Sequence, residues 1–263
     1  MLRLEHSKSF RNSPPDTRVS RILNPPQDQF VRRRPDARLT DAGVAVRNYR
    51  FRFHTPMNYE AFCGGVFETN CYLASAPEGP ILFDAPQGAC EWLEAKEVDP
   101  KFLFLTHGHI DHVQDVAKIK RRFNCQIGCH PLTEPMISDR EFFRNFGFEL
   151  EIEPARADFF IEETPKRDFL GAEFQVLEVP GHCPGSLCFF SRPDELLIGG
   201  DVLFAGGVGR WDLPGGDADL LFSGIRKKLF PLGDRVTILP GHGPPTKLGT
   251  ERRTNPFVSE QSA

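Results

Sequence analysis

The stretch Thr106-His107-Gly108-His109-Ile110-Asp111-His112 places three histidines and an aspartate within six residues. It follows an apolar run, Phe102–Leu105, that predicts a buried strand, and it leads into a segment with helical spacing, His112–Phe123. At such a strand-to-helix junction the four polar side chains can point into one cavity. Imidazole and carboxylate are ligands that zinc prefers. Four ligands from one short segment exceed what a single tetrahedral ion normally takes, so the pattern predicts ligands divided between two ions.

Three further candidates follow other apolar strands in the same way. His182 follows the strand predicted to end at Pro180, Asp201 follows the strand Leu196–Ile198, and His242 follows the strand predicted to end at Leu239. A small residue precedes each candidate and a turn follows it. Five of the eight histidines share this context, which favours a metal site over chance. The predicted metal ligands are therefore His107, His109, Asp111, His112, His182, Asp201 and His242.

The rest of the pattern predicts the fold class. Strands and helices follow one another in a β-β-α-β-α-β order, which indicates packed sheets flanked by helices, an α/β (α+β) arrangement. The predicted strands are Val66–Ser75, Pro80–Asp84, Lys101–Thr106, Gln126–Cys129, Phe169–Pro180, Leu187–Ser191, Glu195–Gly200 and Arg235–Leu239, and the predicted helices are Gly88–Lys96, His112–Phe123 and Asp217–Phe230. We expect one catalytic domain over residues 49–258.

Residues 1–48 differ from this body. Pro14-Pro15, Pro25-Pro26 and Arg32-Arg33-Arg34-Pro35 interrupt any periodicity, and large apolar residues are sparse. Such a composition buries too little apolar surface to offset chain entropy. We therefore predict a disordered N-terminal extension of unassigned role.

Charge and cysteine usage narrow the function classes. The formal net charge is −4, but it is +6 for the first fifty residues and therefore −10 for the remainder, which disfavours a nucleic-acid substrate. No apolar run reaches the roughly 18–20 residues that span a bilayer. Seven cysteines without a repeating spacing indicate reduced thiols. These features predict a cytoplasmic protein with no membrane or nucleic-acid partner and a small-molecule substrate.

The motif His-x-His-x-Asp-His with a later His, Asp and His resembles the metallo-β-lactamase superfamily, and specifically its glyoxalase II-like branch. The resemblance covers roughly residues 50–258. It is most specific in three segments, which are Gly200–Phe204, Gly209–Asp217 and Glu251–Phe257. These segments are similar to small bacterial hydroxyacylglutathione hydrolase-like members that lack the separate helical C-terminal domain. The resemblance implies an αββα sandwich with the metals at one edge.

By that resemblance, one metal would be held by His107, His109 and His182. The other would be held by Asp111, His112 and His242, with Asp201 bridging the two. Zinc is the favoured ion, with iron and manganese as alternatives. A hydroxide bridging two cations would attack the carbonyl of a thioester of the S-lactoylglutathione type, with Asp111 as the catalytic residue that orients it.

Other members of the superfamily give the alternatives. A persulfide dioxygenase would use one iron on His107, His182 and Asp201, and a lactonase would use the same seven ligands. The best-known zinc β-lactamases carry cysteine where Asp201 stands, which disfavours that activity, and His109 excludes a flavodiiron protein. A ribonuclease is disfavoured by the acidic body. A metal serving only as a structural staple is disfavoured because structural zinc sites are usually closed and cysteine-rich.

Several other residues have a structural interpretation that competes with a functional one. Arg210 and Asp212 are expected to form a structural ion pair at the rim of the site rather than to contact substrate. The side chains of Phe142, Phe143 and Phe146 could wall a pocket, although core packing is favoured. For Cys183, His130 and His54, structural roles are favoured over metal binding.

Overall fold

The computed structural model describes residues 56–144 and 152–260, and also the backbone of three short strands, β1 (Ser20–Ile22), β2 (Asp36–Leu39) and β3 (Ala45–Asn48). Strands β2 and β3 pair with each other in antiparallel fashion. The remainder of the predicted N-terminal extension lies outside the described residues, so the prediction of disorder stays a prediction there. His54 and Phe146 also lie outside the described residues.

Two sheets form the body of the protein. The first has the order β1-β4-β5-β6-β7-β8-β9, with β4 (Tyr59–Gly64), β5 (Thr69–Ala76), β6 (Gly79–Phe83), β7 (Phe102–Phe104), β8 (Gln126–Cys129) and β9 (Phe159–Phe160). The second has the order β10-β11-β12-β13-β16-β17, with β10 (Thr164–Phe169), β11 (Ala172–Glu178), β12 (Leu187–Ser191), β13 (Leu196–Gly200), β16 (Thr237–Pro240) and β17 (Thr246–Lys247). A separate hairpin joins β14 (Leu203–Phe204) to β15 (Gly207–Val208).

The helices are short. They are α1 (Ala89–Ala95), α2 (Ile110–Val113), α3 (Val116–Phe123), α4 (Glu134–Ser138), α5 (Ala218–Gly224) and α6 (Leu248–Thr254). A π-helical turn (Ile225–Leu229) and a 3-10 turn (Phe230–Leu232) continue α5. In the part of the chain that the structure describes, no helix has the length and apolar character needed to cross a bilayer.

Alternating residues of the central strands face two different cores, which explains their continuous apolar character. Phe104 and Phe189 pack between the two sheets, with their rings stacked at a centroid distance of 5.6 Å. Their neighbours in sequence point the other way. Leu103 packs with α1 and α3, and Phe190 packs with α5. Helices therefore cover the outer face of each sheet, and the predicted αββα sandwich is confirmed.

Two predicted elements are each divided in the structure. The helix predicted over His112–Phe123 is interrupted between α2 and α3, because the backbone N–H of Asp115 donates to the carbonyl oxygen of Ala85 at 2.9 Å and the carbonyl oxygen of His112 accepts from the N–H of Ala85 at 2.8 Å. The carboxylate of Asp115 also accepts hydrogen bonds from the backbone N–H groups of Gly88 and Cys90. The strand predicted from Phe169 begins instead at Ala172. Leu170 and Gly171 have φ of 54° and 77° and form the turn between β10 and β11.

The strand ends create the functional edge. Strands β13 and β16 are parallel in the second sheet, and β6 and β7 are parallel in the first, so their carboxyl ends lie on one side. The segments that follow β7, β11, β13 and β16 contain all seven predicted ligands, with Asp111 and His112 in the first turn of α2 and the other five outside helices.

Candidate metal centre

The seven predicted side chains converge from the four segments that follow β7, β11, β13 and β16 into three overlapping groups. In each group the possible ligand atoms lie within 4.8 Å of one another. The groups are His107 with His109 and His182, His107 with His112 and Asp201, and Asp111 with His112 and His242. The structure therefore brings together every residue that the sequence predicted for the site.

The carboxylate of Asp201 lies between the two halves of this cluster. Its Oδ1 is 3.3 Å from Nε2 of His112, while its Oδ2 is 3.5 Å from Nε2 of His182 and 3.3 Å from Nε2 of His242. On one side, Nε2 of His182 is 2.8 Å from Nδ1 of His109. Such a central carboxylate can contact a cation on either side.

Most of these imidazoles are oriented through their other nitrogen. Nδ1 of His182 lies 2.7 Å from the carbonyl oxygen of Arg210, and Nδ1 of His242 lies 3.0 Å from the carbonyl oxygen of Phe67. Since a carbonyl can only accept, each Nδ1 carries the proton and donates it. In the neutral imidazole Nε2 then presents its lone pair to the cluster, which is the arrangement that tunes metal-ligating histidines.

A buried aspartate that the sequence reasoning missed orients two more ligands. The Oδ2 atom of Asp84 accepts hydrogen bonds from Nδ1 of His112 at 2.9 Å and from Oγ1 of Thr106 at 2.8 Å. Oγ1 of Thr106 is in turn 3.0 Å from Nδ1 of His107. A signal was present, because Asp84 directly follows the apolar strand β6, just as the other candidates follow theirs.

Replacing Asp84 with asparagine is expected to weaken metal binding roughly 10- to 100-fold, the usual effect of losing such a partner. An amide that offers one oxygen cannot accept from both Thr106 and His112 while also taking the backbone N–H of Thr106. Metal competition with a chelator measures the affinity. The control is Asp158→Asn, a partly exposed carboxylate that pairs with Lys120 away from the site. Equal metal affinity in D84N and wild type would contradict the orienting role.

The imidazoles fall into two groups, one whose pKa is lowered and one whose pKa is raised. Burial lowers the pKa of His107 and of His109, the latter to about 3, and neighbouring imidazoles lower both further. Burial opposes charge at His242 too, but hydrogen bonds to Asp111 and Asp201 raise its pKa to about 10. The pKa of His112 is also raised, because carboxylates outweigh its burial. The buried carboxylates thus attract positive charge to this point.

The donor set fits bound cations. Nε2 of His112 and Oδ1 of Asp201 are both buried without a hydrogen-bond partner, although they lie 3.3 Å apart. Burying such atoms unpaired is costly. A cation held between them would satisfy both lone pairs. Together with the histidine–carboxylate composition, this pair indicates a metal site rather than a hydrogen-bonded polar core.

Close backbone approach at Gly241 keeps the cluster compact. A Cβ built on this residue would lie 2.0 Å from Oδ1 of Asp201 and 2.7 Å from Cε1 of His112. A side chain therefore cannot be accommodated without moving two of the predicted ligands.

A cavity of about 510 Å³ opens onto the cluster. Phe142 and Phe143 line it, and Phe143 also packs in a core, so both roles considered for them apply. Arg210 lines the cavity and forms the expected ion pair with Asp212, with Nε donating at 2.8 Å. Cys183 is buried against Met136 at 3.8 Å. All seven cysteines are free thiols and six of them are buried.

Comparison with known proteins identifies the family and the fold. The sequence profile described as the metallo-beta-lactamase superfamily matches residues 64–242. Hydroxyacylglutathione hydrolase GloC of Haemophilus influenzae is 36% identical over 213 residues, covering 78% of this chain and all of that protein. Among solved structures, BLEG-1, described as a B3 metallo-beta-lactamase, is 31% identical with a TM-score of 0.71, covering 76% of this chain and 99% of that chain. TTHA1623, solved in a di-iron-bound form, is 36% identical with a TM-score of 0.66, covering 74% and 98%.

Proposed function

The chain belongs to the metallo-β-lactamase superfamily, and on that premise we propose that it is a hydrolase that uses two divalent metal ions to cleave a small-molecule thioester. The seven residues of the cluster are the proposed ligands, divided as the family resemblance implies, with Asp201 between the two ions. Zinc is the favoured ion, because imidazole and carboxylate ligands suit it. We place the enzyme in the cytoplasm, with no nucleic-acid or membrane partner.

The observation that carries this proposal is the open character of the cluster. Five histidines and two aspartates surround the site, and five of these seven side chains also line the cavity: His109, Asp111, His182, Asp201 and His242. A structural zinc site is normally closed by four protein ligands, whereas a catalytic site keeps a position for water and substrate. The accessible side of this cluster therefore supports catalysis over a structural staple.

Two divalent ions bound here would supply a nucleophilic hydroxide near neutral pH and would polarise the carbonyl of the substrate. Asp111 is the proposed catalytic residue. Its Oδ2 accepts a hydrogen bond from the buried hydroxyl of Thr69 at 2.7 Å and lies 3.1 Å from Nε2 of His242. So oriented, the carboxylate can accept a hydrogen bond from the attacking water and aim it at the carbonyl carbon. The thiol then leaves without a serine or cysteine nucleophile.

The named relative makes S-lactoylglutathione the first thioester to test. A β-lactam amide is the second candidate, because BLEG-1 is described as a B3 metallo-beta-lactamase and is 31% identical. The sequence disfavours lactam hydrolysis, because the best-known zinc β-lactamases carry cysteine where Asp201 stands. The similarity to BLEG-1 nevertheless makes lactam hydrolysis an activity to test. A persulfide dioxygenase and a lactonase remain as outcomes of the test.

The test is hydrolysis of S-lactoylglutathione, followed by loss of thioester absorbance, with protein whose metal content has been measured. We expect saturable turnover that chelation abolishes and that zinc restores. A chromogenic cephalosporin, a homoserine lactone and an oxygen electrode with glutathione persulfide serve as parallel assays on the same preparation.

The parallel assays separate the candidates. Thioester turnover without oxygen consumption supports the proposal. Oxygen consumption by an iron-loaded sample would replace it with persulfide oxidation, and lactam or lactone turnover alone would replace it with that hydrolysis. A fully metallated protein inactive in every assay would refute the thioester assignment.

A further inference from the structure

The cavity that opens onto the cluster has a mainly apolar lining. Nine of its fifteen lining residues are apolar, five are proposed metal ligands and the last is Arg210. The apolar residues lie on both sides of the cluster. Ile110 and Met136 are next to the His109 loop, and Phe204 lies beside His242 with the two ring centroids 6.1 Å apart. A substrate carbonyl that reaches the cluster must therefore lie between apolar walls.

The cavity lining contains few charged side chains apart from the proposed metal ligands. Among the lining residues that the structure describes, Arg210 is the only lysine or arginine, and Nε and one terminal nitrogen each donate at 2.8 Å to Asp212. Both partners are exposed at the rim. The lining therefore offers a single basic side chain, which lies at the exposed rim and is already paired.

The apolar wall is held in place rather than loosely packed. Phe204 and Val208 belong to the hairpin β14–β15, and the buried carboxylate of Glu251 accepts the backbone N–H of Gly206 in that hairpin at 2.9 Å. Asn255 donates to the carbonyl oxygen of Gly207 at 3.0 Å and to Glu251 at 2.9 Å. A wall held by these hydrogen bonds favours binding of an apolar group of complementary shape, because the protein loses little conformational entropy on binding.

The mouth of the cavity is apolar as well. Phe67, in the turn between β4 and β5, lines the cavity although it is 54% exposed, and its neighbour Val66 is 81% exposed. These neighbouring apolar side chains extend the apolar lining of the cavity to its entrance, as in ligand-binding grooves.

Resting on the proposed thioester hydrolysis, we infer that the preferred substrate carries an apolar acyl group larger than lactoyl. The acyl group and the thiol portion are both bonded to the carbonyl carbon, and we assign the apolar walls to the acyl group and the exposed rim at Arg210 to the thiol portion, because thiol carriers such as glutathione are polar. A volume of about 510 Å³ lies within the range of roughly 300–1,000 Å³ that is typical of sites for small organic ligands.

The experiment compares thioesters of one uncharged thiol, N-acetylcysteamine, whose acyl groups are acetyl, lactoyl, butyryl, hexanoyl and phenylacetyl. Burial of a methylene corresponds to about a threefold to fourfold gain. We therefore expect kcat/KM of the metal-loaded protein to rise at least about thirtyfold from acetyl to hexanoyl. A flat series, or preference for lactoyl, would overturn the inference.

Two variants locate the effect. Phe67→Ser and Phe204→Ser are each expected to lower the ratio of hexanoyl to acetyl kcat/KM about tenfold, the loss of a few methylenes' worth of contact. Phe160→Ser is the matched control, because Phe160 is 52% exposed on β9 and does not line the cavity. An unchanged ratio in both cavity variants would place the selectivity elsewhere and refute the assignment of this wall.

A binding measurement keeps the inference separate from the proposed function. Calorimetric titration of the metal-loaded protein with hexanoate, acetate and lactate is expected to show hexanoate binding at least about tenfold more tightly. Tighter hexanoate binding without any thioester turnover would refute the hydrolase assignment and retain the apolar cavity. Equal affinities, or no binding of any of the three acids, would overturn the cavity inference whether or not thioesters are cleaved.

Discussion

Replacing Gly241 with alanine is expected to lower kcat/KM roughly a hundredfold or more, the effect of misplacing reacting groups by about 1 Å. The new methyl group would begin 2.0 Å from Oδ1 of Asp201 and 2.7 Å from Cε1 of His112, so both side chains must move. Because Asp201 is the proposed bridge between the two ions, metal content should fall together with activity. Metal analysis after gel filtration, beside the thioester assay, measures both.

The matched control is Gly207→Ala. Gly207 has no positive φ, and a Cβ placed there would have its nearest neighbour at 3.8 Å, an ordinary contact. This variant is expected to keep its metal and its fold. If the Gly241 variant retained two metals and full activity, the compact geometry around Asp201 would not matter for function.

Replacing Asp111 with asparagine is expected to reduce turnover by about 10²- to 10⁴-fold, the range for loss of a group that handles a proton in the transition state. The amide is nearly the same size but cannot accept a proton, and its nitrogen cannot accept the hydrogen bond from Thr69. Circular dichroism and thermal unfolding should change little, since Asp111 lies at the cavity and not in a core.

Metal content separates the two roles of Asp111. Lost turnover with both metals retained supports orientation of the nucleophile, while loss of one metal supports ligation as the dominant role. Asp168→Asn, an exposed carboxylate that accepts the backbone N–H of Gly171 in a turn, is the control and should match wild type. Undiminished thioester turnover in D111N would contradict the proposed catalytic residue.

The convergence of the seven proposed ligands was predictable because its signal is local. Each candidate follows an apolar strand, and strand ends on one side of a sandwich meet at one edge, so position in the sequence translates into position in space. The helix around Asp217 was predictable for the same reason, since its side chain accepts the backbone N–H of Leu220 at 2.9 Å, as an N-cap does.

The features that could not be predicted from the sequence depend on contacts between distant segments. Asp84 and His112 are 28 residues apart, and no spacing rule joins them. The break at Asp115 occurs because its backbone N–H bonds to the carbonyl oxygen of Ala85, 30 residues earlier, instead of to the preceding turn of the helix. The role of Glu251 is likewise visible only after β14 and β15 have folded back towards it. The pairing of Arg210 with Asp212 was inferred correctly because the partners are two residues apart.

The bond from Glu251 to the backbone of the β14–β15 hairpin has a consequence for biosynthesis. A ribosome adds roughly 5–20 residues per second, and the N-terminal half of a chain normally begins to fold first. Here the first cluster of ligands is complete by residue 112, but Asp201, His242 and the Glu251–Asn255 clamp follow much later. The nascent chain must therefore carry an exposed, partial set of imidazoles for several seconds before the cavity can close around them. The apolar wall formed by the β14–β15 hairpin is therefore fixed only after Glu251 and Asn255 have been synthesised.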